Sequence, residues 1–492
     1  MTEKMKCLFY FAAAGLVLLS GCTVGPDYTP PETAVPDAWT QELTVQDAND
    51  IAEWWKTFDD PLLWSLIERA QTGSPDVRAA IARIDESRAY RQYTAGDRLP
   101  VVTAGGDYTR SRSSGNTLAS FPGALKEHGQ YGAGFDASWE IDVFGRIRRS
   151  IEYADGLLGS AVEDWRGVQA ALSAEVAANY VELRTIQEEL RYAMENIEIQ
   201  QKTLTLAKDR FDAELVGELD VTQARQNLAN TEAQVPTLQI ARRQAINRLA
   251  VLLGTWPGEL ERELVDEAPM PALMSEPGVL IPAELLRRRP DIRSAERALA
   301  AQTARIGMAT ADLYPSFSLS GYFELQGTRL SHLGNWDSRA YSYGPGFRWR
   351  IFARDQIRSM IAVEEARTRQ LLAAYESTVL QAVEETENTL TGYVQETVRR
   401  DALIRSVEAA KKSVEMSESL YKSGLTDFQT VLDSQRSLAN QQDQLAISRG
   451  LILQRVIGLY KAMGGGWQLS NDMNKEQENT SEMNDEGKAD TL

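Results

Sequence analysis

The sequence is poor in the residues on which most enzymes and metal sites depend. Its 492 residues include only two histidines and two cysteines. It has no Gly-rich phosphate loop, no nucleophile elbow and no carboxylate pair in a recognisable catalytic setting. We therefore expect no enzyme activity, no metal site and no cofactor. The net charge of −18 disfavours nucleic acid as a partner, because neutralising phosphates requires basic residues.

Long hydrophobic runs are also absent. No stretch reaches 18 consecutive apolar residues, so no helix is predicted to span a bilayer. A shorter apolar run, 8–19, follows a basic start and ends in Leu-Ser-Gly-Cys at 19–22, as in a signal peptide. The four residues resemble the lipobox of bacterial lipoproteins, which predicts a signal over 1–21 and an acylated Cys22. Threonine at 23, rather than aspartate, favours the outer membrane. The alternative is a generic secretory signal with an incidental cysteine.

Proline is missing from two long stretches, between Pro122 and Pro236 and after Pro345. Apolar residues at steps of three and four predict a helix over 148–211, roughly 95 Å long at 1.5 Å per residue, and a matching helix later in the chain. We expect return helices over about 220–253 and 428–463. Pro236 should kink the first of them.

The chain repeats one plan. Pro-Asp-Val-Arg at 75–78 recurs as Pro-Asp-Ile-Arg at 290–293, an offset of 215, and from Trp139 and Trp349 onward the offset is 210. This predicts a tandem duplication, with copy one over 74–254 and copy two over 289–464. The remaining predicted parts are an N-terminal segment (22–73), a Pro-rich connector (255–288) and an acidic tail (465–492) that lacks the composition of a folded segment.

Within each copy the apolar period changes from that of a helix to that of a strand. Residues 131–143 alternate between an apolar face, with Phe135 and Trp139, and a polar face, with Asp136. Residues 341–351 and 317–325 alternate likewise, and the segment near 100–110 does so more weakly. We predict two hairpins, over about 99–144 and 314–352, whose loops include His128 and His332. A plain loop position is the favoured interpretation for both histidines, and the strand aromatics favour a lipid-facing belt over a ligand site.

Four such strands cannot close a membrane barrel alone, because single-chain barrels start at about eight strands and open edges are not tolerated in lipid. Three copies would supply twelve strands and a matching cylinder of helices. The predicted fold is therefore mixed but mainly α: a trimeric β-barrel of four strands per chain, continuous with a long periplasmic α-helical barrel. A barrel joined to such a tube is a conduit.

Several motifs also carry a family resemblance. They are Leu-Ser-Gly-Cys (19–22), Val-Gly-Pro-Asp-Tyr (24–28), Trp-Trp (54–55), Asp-Pro-Leu (60–62), Trp-Glu-Ile-Asp-Val-Phe-Gly-Arg (139–146) and Arg-Arg-Pro-Asp-Ile (288–292). The chain from 22 to about 467 resembles the outer-membrane efflux factors of the TolC superfamily, particularly the OprM- and NodT-type lipoprotein branch. The resemblance implies a homotrimeric channel, anchored in outer-membrane lipid and extending into the periplasm of a Gram-negative bacterium. The implied partners are a periplasmic adaptor and an inner-membrane pump, often proton-driven.

The resemblance also assigns roles to the predicted helix-to-helix turns, near 212–215 and 422–425. It implies a periplasmic aperture that Asp433 lines, with Gln429 on the same helix face and Gln223 and Leu219 contributed by copy one. The adaptor would contact Glu214, Leu215, Gly424 and Leu425. The family often has leucine where Gln429 stands, and Gln223 occupies the place equivalent to Asp433, so a carboxylate ring would be three-fold. The alternative for Asp433 is a solvated helix carboxylate.

Two other classes of protein remain as alternatives, a periplasmic adaptor and a structural coiled-coil lipoprotein. The duplication argues against an adaptor, which has one helical hairpin, and the amphipathic strands argue against a pure coiled coil. The sequence does not identify the cargo, the cognate adaptor or the pump.

Overall fold

The computed structural model describes residues 23–41, 51–112, 114, 127–274 and 276–467. Fourteen elements follow in chain order within them, apart from short 3-10 turns. They are α1 (Pro61–Gly73), α2 (Pro75–Gly96), β1 (Val101–Arg112), β2 (Glu127–Ile141), α3 (Arg146–Asp212), α4 (Glu218–Glu232), α5 (Gln234–Leu252), α6 (Glu261–Leu264), α7 (Pro282–Arg288), α8 (Pro290–Ala311), β3 (Ser316–Gly327), β4 (Arg339–Arg348), α9 (Arg354–Lys422) and α10 (Phe428–Ala462).

The four strands form one antiparallel sheet in the order β1-β2-β3-β4. Its register places Phe135 opposite Phe323, and Phe323 opposite Tyr341, so the apolar positions of three strands lie in line. This confirms the four predicted strands. Two details were wrong. His128 lies in β2 opposite Ser111, not in a loop, and β4 ends before Ile351, which begins a 3-10 turn leading into α9.

The ends of the two hairpins are fixed in the same way in both copies. The indole N–H of Trp139 donates to the carbonyl of Arg98 at 2.9 Å, and that of Trp349 donates to the carbonyl of Leu313 at 3.1 Å. Each acceptor follows the helix that precedes the hairpin. Trp139 is half-buried and Trp349 is exposed. A tryptophan that is at least partly exposed and has a satisfied N–H is typical of a surface that is apolar at one end and polar at the other.

The two longest helices, α3 and α9, contain 67 and 69 residues. In α3 the apolar residues at steps of three and four are buried from Leu183 to Ala207, except that Ile197 is half-buried. Phe211 is 40% exposed and does not continue the stripe. The return helix of copy two, α10, is continuous, whereas that of copy one breaks at Ala233 into α4 and α5, close to the predicted kink at Pro236. Among the described residues, no helix is long and apolar enough to cross a bilayer.

The chain divides into two compact units, each built from segments of both copies. Of the described residues, the first unit takes those within 1–33, 82–162 and 294–377, and the second takes those within 34–81, 163–293 and 378–492. The second unit contains a large apolar core in which Trp54 stacks on Tyr460 and lies edge-on to Phe58. In the same unit Asp60 caps α1 and accepts a 2.7 Å hydrogen bond from the Tyr180 hydroxyl. The Trp-Trp and Asp-Pro-Leu motifs therefore organise this core.

Candidate functional site

The two helix-to-helix turns have the same backbone hydrogen-bond pattern. At the end of α3, the N–H of Leu215 donates to the carbonyl of Arg210 at 2.9 Å, and at the end of α9, Leu425 donates to Leu420 at 2.9 Å. Both turns reverse through a residue of positive φ, which is Glu214 (57°) in copy one and Gly424 (71°) in copy two. Glycine takes this conformation without a steric penalty, whereas a residue with a Cβ is disfavoured there. Copy one therefore makes the same turn with a less suitable residue.

The helices that follow the turns begin differently. Asp427 precedes α10, and its carboxylate accepts hydrogen bonds from the backbone N–H of Thr430 at 2.9 Å and from its hydroxyl at 2.7 Å. These bonds, the hydroxyl bond first, hold the pKa of Asp427 below its usual value. The corresponding residue before α4 is Gly217, which has no side chain to cap the helix. A glycine at this position costs only about a few tenths of a kcal/mol relative to an aspartate cap, so α10 begins slightly more firmly than α4.

Beside the turns, the two copies share a small apolar core, which we call the helix-end core. Its buried members come from α3, α4, α9 and α10: Leu204, Ala207, Val221, Ala224, Leu228, Tyr421, Phe428, Val431 and Leu432. Val431 and Leu432, which directly precede Asp433, thus point inward. This burial fixes the rotation of the first turns of α10 and determines which of its residues remain exposed.

A second contact joins the copies at the same place. The guanidinium of Arg210 donates to the carbonyls of Tyr421 and Lys422 at 2.5 and 2.8 Å, and it lies 4.8 Å from the centre of the Tyr421 ring. The Tyr421 hydroxyl donates to Asp220 at 2.8 Å. Burial, and then this bond, raise the pKa of Tyr421. We call Arg210, Tyr421 and Asp220 the helix-end link.

Sequence reasoning did not identify the helix-end link. Its residues are separated by 201 and 211 positions, and no repeat or motif relates them. The available signal was a cation within the last turn of α3, where an arginine can bind free carbonyl groups at a helix end. That signal does not reveal that the carbonyls belong to the other copy.

The aperture residues predicted from the resemblance are exposed on the single chain. Asp433 lies one turn after Gln429 on α10, and the amide of Gln429 donates to the Asp433 carboxylate at 2.8 Å. The Asp433 side chain is 62% exposed, with Arg436 3.8 Å away. In copy one, Leu219 is 66% exposed and Gln223 is half-buried on α4. Within the described chain no hydrogen bond joins either of them to Asp433, so the structure brings together Gln429 and Asp433 only.

The four turn residues predicted to contact an adaptor are also exposed. Leu215 and Leu425 are 66% and 75% accessible, and Glu214 and Gly424 lie beside them. Two aliphatic side chains at equivalent tips are thus left outside the helix-end core. The predicted lipidation residue, Cys22, lies outside the described residues.

These features define a class of protein: an internally duplicated chain that contains one amphipathic sheet and long helical hairpins that are linked at their ends. Comparison with known proteins gives the same class. A family model described as outer membrane efflux protein matches residues 66–255 and 281–465. The chain is 32% identical to nodulation protein T of Rhizobium leguminosarum bv. trifolii over 87% of its length and 91% of that protein. It is 31% identical to the pyoverdine export outer membrane protein OpmQ of Pseudomonas aeruginosa, over 94% of its length and 98% of that protein.

A solved structure shows the same fold over nearly the whole chain. The outer-membrane channel OprN superposes with a TM-score of 0.84 at 37% identity, covering 91% of this chain and all of that one. The chain therefore belongs to the outer membrane efflux protein family. It is an outer-membrane channel of the tripartite efflux type, as the resemblance implied. Its relatives are channels rather than enzymes, adaptors or purely structural proteins.

Proposed function

We propose that three copies of this chain form a duct whose resting state is closed at the helix ends, with Asp433 and Gln429 lining the aperture. One observation carries this proposal. Val431 and Leu432 are buried in the helix-end core, and this burial turns the neighbouring Asp433 outward beside helices that the helix-end link holds together. An aspartate exposed on a fixed helix face can meet its symmetry mates around an axis. Three carboxylates in a narrow aqueous throat attract cations.

The trimer is supported by the edges of the sheet. In the order β1-β2-β3-β4, the outer strands β1 and β4 each leave one row of backbone groups without a strand partner inside the described chain. Unpaired backbone groups are too costly in lipid, so neighbouring chains must complete the sheet. Three chains of four strands give a closed barrel of twelve.

The partners follow from the exposed turns. We propose that Leu215 and Leu425 pack against a periplasmic adaptor, with Glu214 and Gly424 at the rim of that contact. The adaptor links the duct to an inner-membrane pump, which we propose is proton-driven and selects the cargo. Docking opens the aperture by separating the residues of the helix-end link.

The membrane attachment is proposed to include a lipid. Cys22 follows a signal-like segment and would become the acylated first residue of the mature chain. The acyl group and the barrel together would attach the protein to the outer membrane in two ways. This suits stable anchoring, because single acyl chains bind membranes only weakly.

The test is the single-channel conductance of the purified protein in planar bilayers, with and without a trivalent cation. Asp433→Ala should raise the basal conductance and weaken the trivalent block by about tenfold, since it removes the carboxylate ring. Gln223→Asp, which places a carboxylate at the equivalent position of copy one, should strengthen the block. Asp209→Ala, an exposed helical carboxylate near the end of α3, is the matched control and should behave like the wild type.

Equal conductance and equal block in wild type and Asp433→Ala would assign Asp433 to the solvated surface and remove it from the aperture. A stronger block in Gln223→Asp together with an unchanged block in Asp433→Ala would place the aperture on α4 instead. A stable folded monomer in detergent would contradict the trimer.

A further inference from the structure

The first described residues of the chain run against the junction between β2 and α3. The backbone N–H of Val24 donates to the carbonyl of Phe144 at 3.2 Å. Thr23 packs on Gly145, where an added Cβ would approach the Thr23 Cα to 2.9 Å. Phe144 itself stacks on Tyr314, with ring centres 4.6 Å apart. The mature N-terminal segment is therefore in contact with the base of the sheet.

Arg149 holds this segment through several bonds. Its guanidinium donates to the carbonyls of Val24 and Gly25 at 3.1 and 3.3 Å and to the carboxylate of Asp27 at 2.7 Å. A further bond to Glu152 at 2.7 Å orients the side chain, of which only 4% is exposed. A buried arginine is retained only when its donors are paired, and here three of the acceptors belong to one short peptide.

Gly25 lies directly on Gly307 of α8. It has a φ of 89°, and an added Cβ would overlap the Cα of Gly307. A Cβ on Gly307 would in turn come within 2.7 Å of the Arg149 Cδ. The close approach therefore needs glycine at position 25, and glycine at position 307 leaves room for the Arg149 side chain. Three residues later, the Tyr28 hydroxyl donates to Glu296 at 3.4 Å, which gives the segment a second point of attachment on α8.

Among the described residues, copy two has no counterpart of this contact surface. The residues at the equivalent places of copy two, 210 positions later, are Asp355 for Gly145 and Ser359 for Arg149. Neither can reproduce the contacts described above. The N-terminal segment therefore selects copy one although the two copies share their element order.

We propose that residues 23–28 are a docking peptide and that Gly145, Arg149 and Gly307 form its receptor site, with Arg149 as the positioning residue. The site fixes the point at which the mature chain leaves the folded body, at the foot of β2. Because consecutive Cα atoms are 3.8 Å apart, a lipid on the preceding residue starts at the same level. The peptide thereby sets the depth of the sheet relative to the leaflet that holds the lipid. Release of the peptide should slow assembly of the barrel, because that depth is then no longer fixed. The role in depth rests on the proposed acylation of Cys22, whereas the docking itself does not.

The test uses the full-length protein with a nitroxide label on Thr29→Cys, an exposed position just after the docking peptide. Gly25→Val should release the peptide, because its Cβ overlaps Gly307 while the folded body is unchanged. Arg149→Met should release it as well. The label should change from a largely immobile to a largely mobile electron paramagnetic resonance spectrum. In pulse-chase experiments, the half-time for heat-resistant trimers in the outer membrane should lengthen at least threefold.

Two control variants accompany these changes. Glu32→Val adds the same side chain at an exposed position of the segment, and Arg297→Met removes an arginine that lines the same groove without a hydrogen bond to residues 23–33 of the described chain. Both should keep an immobile label and wild-type assembly. An immobile label in Gly25→Val overturns the docking, and a mobile label with wild-type assembly overturns its role in positioning.

Failure of the proposed anchor is separable from failure of the docking peptide. Protein without the Thr29→Cys change should take up no label, because the Cys22 thiol is acylated, and mass spectrometry of the mature N-terminal peptide should give the lipidated mass. Label uptake or an unmodified mass rejects the anchor, while the spectra still decide the docking.

Discussion

The two copies differ most at their helix ends, and the differences are consistent in direction. Copy two reverses through Gly424 and starts its return helix on the Asp427 cap, whereas copy one reverses through Glu214 and starts on Gly217. Copy one also breaks its return helix after Glu232. Copy two is thus locally self-sufficient, and copy one is built from less favourable local choices. Local and global preferences usually agree in a natural fold, and departures from that agreement tend to occur at functional places.

The weaker copy contributes two of the three residues of the helix-end link. Arg210 and Asp220 belong to copy one, and their equivalents in copy two are Leu420 and Thr430. The helix-end link therefore has no symmetric counterpart with the roles of the two copies exchanged. The comparison teaches that copy one depends on contacts with copy two for what its own turn and cap do not supply. Local hydrogen exchange is a suitable measure of that dependence, because opening free energies differ across one structure.

The largest expected effect tests the difference between the return helices. Ala446, the counterpart of Pro236, is fully buried within α10. Ala446→Pro should lower the free energy of opening of α10 by about 3 kcal/mol, because it removes a helical hydrogen bond and clashes with the preceding turn. Pro236→Ala should change the free energy of opening of α5 by less than about 1 kcal/mol, since Pro236 is the third residue of that helix and its nitrogen needs no helical partner. Equal effects at the two sites would contradict the difference between them.

An intermediate effect is expected at the helix-end link. Tyr421→Phe removes the hydroxyl that donates to Asp220. It should lower the opening free energy of peptides covering 204–232 by about 1.5–2 kcal/mol, the lower part of the usual range for a bond to a charged group. Peptides from the start of α10 should change less, because Asp427 caps that helix. Tyr393→Phe, the same change elsewhere on α9, serves as the control. Unchanged exchange in 204–232 would mean that copy one does not rely on this bond.

The smallest effect compares the two turns directly. Gly424→Ala should destabilise the end of α9 by about 1 kcal/mol, because a Cβ is disfavoured at a φ of 71°. Glu214→Gly should stabilise the end of α3 by up to about 1 kcal/mol for the same reason. Hydrogen exchange measured on the two turns should therefore show a lower opening free energy for Gly424→Ala and a higher one for Glu214→Gly. The same sign in both would show that side-chain contacts of Glu214, rather than its backbone, decide the turn.

Much of the fold could be predicted from spacing alone. The alternation of residues 131–143 gave a strand, and the absence of proline gave helices whose observed bounds, Arg146–Asp212 and Arg354–Lys422, lie close to the predicted ones. The 210-residue offset placed both turns. These predictions succeeded because helix and strand periods are local properties of the chain. The interpretation of His128 was wrong because ladder pairing with β1 extends β2 as far as Glu127, beyond the regular alternation.

The contacts that hold the site could not be predicted in the same way. The Arg210 bonds to the end of α9 and the Arg149 bonds to Val24 and Gly25 join residues more than a hundred positions apart. The Arg210 bonds depend on how helices of different copies pack, and the Arg149 bonds depend on how the N-terminal segment packs on α3. No local period encodes either kind of packing. Asp433 was found only through a family resemblance, and its role in the aperture stays a prediction. The burial of Val431 and Leu432 explains why it is exposed.

The continuity of α3 over 67 residues also has a mechanical consequence. A straight helix of that length measures about 100 Å. It acts as a lever: if one end is pivoted by about 5°, the other end sweeps an arc of about 9 Å, by the same rise per residue. A displacement of several ångströms therefore requires little bending and few broken backbone bonds. The cost of such a movement is concentrated in the few side chains that meet at its far end.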